Sequence, residues 1–144
     1  MILKNTQIFK LKLDELDPII AHINALIDRN IRIFLLCGDL GSGKTTLVSR
    51  FGSSHGICNI TSPTFSLMQS YEMSTNCELF HYDLYMHSPK KLVEMGFLEM
   101  LDSNVHFIEW GEPLRDLLIN SGYNYALVDI SRDYWGAIYK VSVG

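Results

Sequence analysis

The sequence predicts an α/β fold in which helices flank a mixed β-sheet, and three observations support this prediction. Strand-like and helix-like segments are mixed throughout the 144 residues. The run at residues 31–37 is apolar and β-branched with little alternation, which is typical of a buried central strand. It leads into a glycine-rich turn at Gly38, and a helix is expected from about residue 44 to residue 54. Because domains are typically about 100–200 residues long, we expect residues 1–144 to form a single domain.

Composition excludes several classes of protein. Hydrophobic residues make up 47% of the chain and charged residues 19%, so the chain is not intrinsically disordered. It carries 12 basic and 16 acidic residues, whereas a protein that binds nucleic acid by itself usually has a basic excess. If the chain acts on nucleic acid, we therefore expect a partner to supply the nucleic-acid contact.

Cysteine number and hydropathy indicate the compartment. Cys37, Cys58 and Cys77 are odd in number and widely spaced, so they fit neither a disulfide framework nor a zinc site. Lysines interrupt the apolar residues of segment 1–13, and no apolar run approaches the roughly 18 residues of a membrane span. We expect a cytoplasmic protein with reduced thiols and no membrane partner.

Hydrophobic spacing predicts the first strand and helix. Phe9, Leu11 and Leu13 alternate with lysines and predict a half-buried strand. Asp17 followed by Pro18 predicts a helix start, with Asp17 as the N-cap and proline where its missing N–H costs nothing. The apolar residues that follow recur at helical spacing and form one stripe, namely Ile19, Ile20, Ile23, Leu26 and Ile27.

The second half of the chain predicts a hairpin, two helices and three further strands. The hairpin strands are expected at 64–71 and 77–83, around a polar turn at 73–76. Ser88 and Pro89 predict a second N-cap and first helical residue. The remaining segments are a strand at 105–109, a helix at 113–119 and closing strands at 123–130 and 135–143.

The strongest motif is a phosphate-binding loop. Residues 38–45 read Gly-Asp-Leu-Gly-Ser-Gly-Lys-Thr and match G-x-x-x-x-G-K-[ST] in full, between a predicted strand and a predicted helix. The glycines let successive backbone N–H groups point at phosphate oxygens, and the following helix adds its positive N-terminal end. Lys44 is expected to reach the β- and γ-phosphates, and the Thr45 hydroxyl to bind Mg²⁺. The fold is therefore predicted to be P-loop NTPase-like.

Two carboxylates at predicted strand ends are candidates for the metal side of this site. Glu109 ends a Walker-B-like strand and is a candidate Mg²⁺ ligand, directly or through water, with a solvated strand-end carboxylate as the alternative. Asp83 also ends a strand-like run. It is a second metal-side acid, a water-orienting base or a turn-capping aspartate.

Four further residues near these motifs have two interpretations each. Thr64 follows a rigid Ser-Pro turn and is either a switch residue that senses the γ-phosphate through Mg²⁺ or a plain strand-start threonine. For His81 and His87 a core or surface role is favoured, since no third metal ligand appears at suitable spacing. Trp110, next to Glu109, is either a packing residue, which is favoured, or a residue with a chemical role.

Four segments together resemble the bacterial TsaE (YjeE) family. They read G-D-L-G-S-G-K-T-T at 38–46, T-S-P-T-F at 61–65, H-Y-D-L-Y at 81–85 and I-E-W at 108–110. Members of that family are small ATPases needed to form N6-threonylcarbamoyladenosine beside the anticodon of tRNAs that read ANN codons. The resemblance implies an ATP-binding and ATP-hydrolysing accessory protein for this modification.

The resemblance also implies cofactors, partners and residue roles. ATP and Mg²⁺ are the implied cofactors, and homologues of TsaD and TsaB are the implied partners, through which the chain meets tRNA indirectly. ATP hydrolysis would reset the TsaD–TsaB pair between turnovers. The implied catalytic residues are Lys44, Thr64, Asp83 and Glu109, and the implied metal ligands are Thr45 and Glu109. The implied cofactor-binding residues are Asp39, Leu40, Gly41, Ser42, Gly43, Lys44, Thr45 and Thr46.

The chain departs from the family pattern at two positions. Family members usually have arginine after H-x-D-L-Y, where this chain has Met86, which cannot pair with a carboxylate or a phosphate. Either that arginine's role is absent or it has moved to Arg115 or Arg132. Family members also often have threonine at the start of the first helix, where this chain has Asp17. An acid there indicates altered base or ribose contacts, or only a helix cap.

Three other functions remain to be weighed. A small-molecule kinase would usually need an arginine-rich lid, which the sequence lacks. A switch GTPase would need an N-K-x-D motif, which is absent, and a D-x-x-G motif soon after the loop, whereas the D-x-x-G of this chain lies at residues 133–136, far from the loop in sequence. A scaffold that binds ATP without hydrolysing it differs from the ATPase only in turnover. Because no obvious arginine finger is present, we expect hydrolysis to be slow until a partner completes the site.

Overall fold

One seven-stranded β-sheet runs through the protein. The computed structural model describes residues 5–63, 66–73 and 76–144. The strands are β1 (Asn5–Leu11), β2 (Ile33–Cys37), β3 (Met68–Met73), β4 (Cys77–Asp83), β5 (Val105–Glu109), β6 (Ala126–Arg132) and β7 (Ala137–Val143). The α-helices are α1 (Asp17–Asp28), α2 (Lys44–Ser54), α3 (Pro89–Glu94) and α4 (Arg115–Asn120), with 3₁₀ turns at Phe97–Met100 and Glu112–Leu114.

The carboxyl ends of four strands meet at one edge of this sheet. The strand order is β1-β7-β6-β2-β5-β4-β3, with β2 parallel to β5 and β6, and β4 parallel to β5. The register pairs Glu109 with both Asp83 and Leu36, and Cys37 with Asp129. Antiparallel pairs add β3 at one side and β7 and β1 at the other, so the predicted mixed sheet is confirmed. Ligands of α/β proteins bind at this carboxyl edge.

Helices cover both faces of the central strands, which explains the continuous apolar sequence there. Every residue of β2 and β5 is buried. Phe34 and Phe107 pack with α1 and α2, whereas Leu35 and Ile108 pack on the other face with α3 and α4. The ring of Phe51 in α2 lies 4.9 Å from that of Phe107. Since one such buried side chain contributes about 1.5–3 kcal/mol, this packing holds α2, and the loop before it, on the sheet.

The start of the first helix differs from the prediction. Asp17 is not the N-cap: Leu16 occupies that position with φ −90° and ψ 3°, no side chain caps the helix, and Asp17 is the first helical residue. An acid in the first turn is still favourable, because it faces the positive end of the helix dipole. Ser88 is the N-cap residue of α3 as predicted, with Pro89 next to it, but its side chain makes no capping hydrogen bond.

Several strand ends also differ from the prediction. β1 ends at Leu11 rather than at residue 13, and β3 begins at Met68 rather than at 64, a position outside the described residues. The closing strands begin at Ala126 and Ala137 rather than at 123 and 135.

The three cysteines are free, and burial, with the charges of Glu112 and Asp129, raises the pKa of the Cys37 thiol to about 12. Among the described residues, no helix has the length and apolar character to cross a membrane.

Candidate functional site

The loop between β2 and α2 depends on glycine at two places. Gly43 is the N-cap of α2 with φ 108°, a left-handed conformation that favours glycine, and it makes no side-chain cap. The first N–H groups of α2 are therefore left for an anion. At Gly38, an added Cβ would lie 2.4 Å from the carbonyl oxygen of Ile130. The loop passes so close to β6 that no side chain fits there.

Lys44 is held in the loop by its own backbone. Its side chain is buried, and its Nζ donates to the carbonyl oxygens of Gly38 at 2.6 Å and Asp39 at 3.0 Å. The same Nζ lies 4.2 Å from the centre of the Trp110 ring. The indole face attracts the ammonium, so Trp110 contacts the loop lysine as well as packing. A phosphate entering the loop would take over the contacts that these two carbonyls now make.

A buried carboxylate joins the loop to the neighbouring strands. Thr45 Oγ1 donates to Glu109 Oε2 at 2.7 Å, and His81 Nε2 lies 2.5 Å from the same oxygen. Glu109 is 4% exposed and His81 is 0% exposed. Since an ionised carboxylate only accepts hydrogen bonds, His81 donates through its Nε2–H. The carboxylate is thereby fixed beside the first turn of α2.

The donor set at this corner fits Mg²⁺. Mg²⁺ prefers oxygen ligands and is usually bound by one or two carboxylates together with substrate phosphates and water. Thr45 and Glu109 supply a hydroxyl and a carboxylate next to the phosphate loop. Within the ranges that the structure describes, no three His, Cys, Asp or Glu side chains form a metal-binding group, so these residues offer no complete cage by themselves. The remaining ligands would come from phosphate and water.

Asp83 caps a turn and also faces the same cleft. Its Oδ1 accepts the backbone N–H of Tyr85 at 2.9 Å, and its Oδ2 accepts the Ser62 hydroxyl at 3.4 Å. The turn-capping interpretation is therefore correct as far as the backbone goes. Asp83 lies opposite Glu109 in the register, so a role at the reacting end of a ligand stays open. Thr64 lies outside the described residues.

Most of these side chains line one cleft of about 310 Å³, which we call the main cleft. Its lining residues are Leu40, Gly41, Ser42, Gly43, Lys44, Thr45, Thr46, Ser62, Asp83, Tyr85, Glu109, Trp110 and Arg132. Asp39 instead lines an adjoining cleft of about 430 Å³ between the loop and the end of β6, together with Asp129 and Arg132. Arg132 therefore belongs to both clefts.

The two departures from the family pattern lie outside the main cleft. Met86 does not line it, is 87% exposed and has φ 63°. Asp17 does not line it either. Of the two arginines considered as substitutes, Arg115 donates to the Tyr125 hydroxyl at 3.4 Å away from the cleft, while Arg132 donates to the Gly41 carbonyl at 3.4 Å inside it.

Sequence reasoning missed the contact of His81 with Glu109. The sequence held a signal for it. His81 and Asp83 are two residues apart in a strand, so their side chains point to the same face, and Asp83 was already a candidate site residue. Ser62 and Tyr85 also line the cleft; both lie in segments that carry the resemblance, but neither was assigned a role there. Tyr85 packs against Trp110, with ring centroids 5.1 Å apart, and the two rings form an aromatic wall.

Comparisons with known proteins show which family this chain resembles. A family model described as threonylcarbamoyl adenosine biosynthesis protein TsaE matches residues 12–134. A tRNA threonylcarbamoyladenosine biosynthesis protein TsaE from Rickettsia felis is 45% identical over 91 residues, which cover 60% of this chain and 52% of that protein. The protein of the same name from Haemophilus influenzae is 36% identical over 99 residues, which cover 61% of each chain.

A solved structure extends the likeness over the whole chain. The crystal structure of Bacillus subtilis YdiB matches with a TM-score of 0.64 and 19% identity, and the match covers 100% of this chain and 88% of that one. At this identity the likeness shows the fold. The matched residues span about half to three-fifths of the length of the curated relatives described above.

Proposed function

Since this chain belongs to the TsaE family of threonylcarbamoyl adenosine biosynthesis proteins, we propose that it binds and hydrolyses ATP with Mg²⁺ in support of that tRNA modification. It works with homologues of TsaD and TsaB in the cytoplasm, and these partners make the contact with tRNA. The net charge of −4 supports the assignment of tRNA binding to the partners, because an acidic chain is poorly suited to bind tRNA alone.

The observation that carries the proposal is the hydrogen bond between the loop residue Thr45 and the buried carboxylate of Glu109. Its Oε2 accepts the Thr45 hydroxyl, and Thr45 is the loop residue that would meet the metal. Thr45 and Glu109 would hold Mg²⁺, which when bound supplies positive charge to the phosphate oxygens. A structural glycine turn would not need a buried carboxylate at this point.

The chain's own residues bind the phosphates, stabilise the developing charge and orient the attacking water. The loop N–H groups and the N-terminus of α2 bind the phosphates, and Lys44 transfers its Nζ contacts from Gly38 and Asp39 to phosphate oxygens. These donors stabilise the charge that develops during in-line attack by water on the γ-phosphate. Asp83 accepts a hydrogen bond from the attacking water and orients it. Thr64 is proposed as the switch residue.

Lys44→Ala tests the proposal in the purified protein. ATP turnover is measured with Mg²⁺, with and without the TsaD–TsaB pair and tRNA. We expect the pair to raise turnover sharply and Lys44→Ala to lower it by about 100-fold or more, since the variant loses a charge-stabilising donor. Lys140→Ala, which removes an exposed lysine on β7, is the matched control and should leave turnover unchanged.

Three outcomes would contradict the proposed function. ATP binding without turnover in any mixture would support a scaffold instead. Phosphoryl transfer to a nucleoside or sugar acceptor would support a small-molecule kinase. In cells, normal threonylcarbamoyladenosine content in a Lys44→Ala strain would rule out a role for the loop in this modification.

A further inference from the structure

We propose that Arg132 binds the terminal phosphate of the nucleotide from the β6 side of the loop. The proposal rests on the proposed function and adds a residue to the same site.

The sheet places Arg132 beside the loop. β6 runs parallel to β2 with Asp129 opposite Cys37, so the last residue of β6 lies at the carboxyl edge, next to the turn that follows β2. Its Nη1 donates to the carbonyl oxygen of Gly41 at 3.4 Å. The pairing of β6 with β2 therefore fixes the backbone of Arg132 beside the loop.

The charges of the main cleft are balanced only when Arg132 is included. Its ionisable lining residues are the carboxylates Asp83 and Glu109 and the cations Lys44 and Arg132. A triphosphate adds several negative charges. Lys44 contacts Trp110, the residue that follows β5, and Thr45 and Glu109, which would hold Mg²⁺, meet at the same end of β5. Arg132 is the cation that the lining residues offer on the β6 side.

The guanidinium of Arg132 has capacity for a ligand. Among the described residues, its side chain makes one hydrogen bond, the long contact with the Gly41 carbonyl. A guanidinium carries five N–H donors, so most of its donors are left for a ligand. Its planar fork matches the geometry of phosphate oxygens. Arg132 lines the same cleft as Asp83 and Glu109, the residues assigned to the reacting end, which is why the terminal phosphate is its target.

The test compares triphosphate with diphosphate. Binding of the β,γ-imido analogue of ATP and of ADP, each with Mg²⁺, is measured by calorimetry for the unaltered protein, Arg132→Ala and Arg132→Lys. We expect Arg132→Ala to weaken analogue binding about tenfold and ADP binding less than threefold, as for the loss of one hydrogen bond to a charged group. Arg132→Lys should recover part of the difference, since it keeps the charge without the fork.

A matched control separates this contact from net charge. Arg50→Ala removes an exposed arginine from α2, outside both clefts, and should change neither affinity. Equal losses for analogue and ADP in Arg132→Ala would assign Arg132 to loop stiffening and overturn the inference, as would no loss at all. Failure of the unaltered protein to bind either nucleotide would instead overturn the proposed function.

Discussion

Two buried histidines on neighbouring strands have different partners. His81 on β4 faces α2 and donates to Glu109. His106 on β5 lies on the opposite face, where its Nδ1 accepts the Tyr82 hydroxyl at 2.6 Å and its Nε2 donates to the Met100 carbonyl at 3.1 Å. Both side chains are 0% exposed, so burial does not distinguish them.

The partners distinguish a histidine of the core from one at the proposed site. His106 has a partner on each ring nitrogen and stacks on Phe80 at a centroid distance of 5.0 Å, so it completes a closed network in the core. His81 Nδ1 has no hydrogen-bond partner among the described residues, and its Nε2 is used on a proposed metal ligand. An incompletely satisfied buried histidine is costly to the fold, which favours a functional reason for keeping it.

The largest expected effect is on stability, from His106→Ala. The variant leaves a cavity between Phe80 and Phe97 and leaves the Tyr82 hydroxyl without its acceptor. We expect the free energy of unfolding to fall by about 3–4 kcal/mol, as for deletion of other large buried side chains. Urea unfolding at low temperature measures it, with His87→Ala on an exposed histidine as control. A loss under about 1 kcal/mol would show that this network is not a core element.

The next effect is the pH dependence that His106 imposes. Burial lowers the pKa of His106 from 6.5 to about 4, so between these values the unfolded chain binds more protons than the folded one. Stability therefore rises with pH across this window, and the contribution is lost as pH falls from 6.5 towards 4. At about 1.4 kcal/mol per pKa unit, the loss reaches roughly 3 kcal/mol.

His106→Gln removes this titration while keeping a hydrogen-bonding side chain. Its free energy of unfolding should depend less on pH between 4 and 6.5 than that of the unaltered protein. The measurement is urea unfolding at several pH values in that range. Parallel curves for the two proteins would show that His106 is not the group responsible.

Local sequence patterns predicted the phosphate loop and its flanking elements, whereas the side-chain contacts of the site depend on long-range strand pairing. The phosphate loop and its flanking elements are contiguous in sequence, so the helix predicted at about residues 44–54 has the observed bounds of α2. The contact of His81 with Glu109 joins residues 28 apart and depends on the β4–β5 register. Asp17 was misplaced as the N-cap because the backbone at Leu16, rather than residue preference, decides where the helix begins.

The smallest expected effect falls on the site itself, from His81→Leu. The leucine fills the buried position but cannot donate to Glu109, so the carboxylate keeps only its bond from Thr45. Residues that hold a metal ligand typically contribute about 10–100-fold to metal affinity, and we expect the lower end because Thr45 remains. The Mg²⁺ concentration needed for half-maximal enhancement of ATP binding should rise about tenfold, while ATP binding without Mg²⁺ should not change.

His81→Gln and His106→Gln sharpen the comparison between the two histidines. An amide N–H at position 81 can still donate to Glu109, so His81→Gln should restore much of the Mg²⁺ dependence that His81→Leu loses. His106→Gln should leave that dependence untouched, since the side chain lies on the other face of the sheet. An unchanged Mg²⁺ requirement in His81→Leu would mean that Glu109 is positioned without His81. The two histidines would then differ in their partners but not in their purpose.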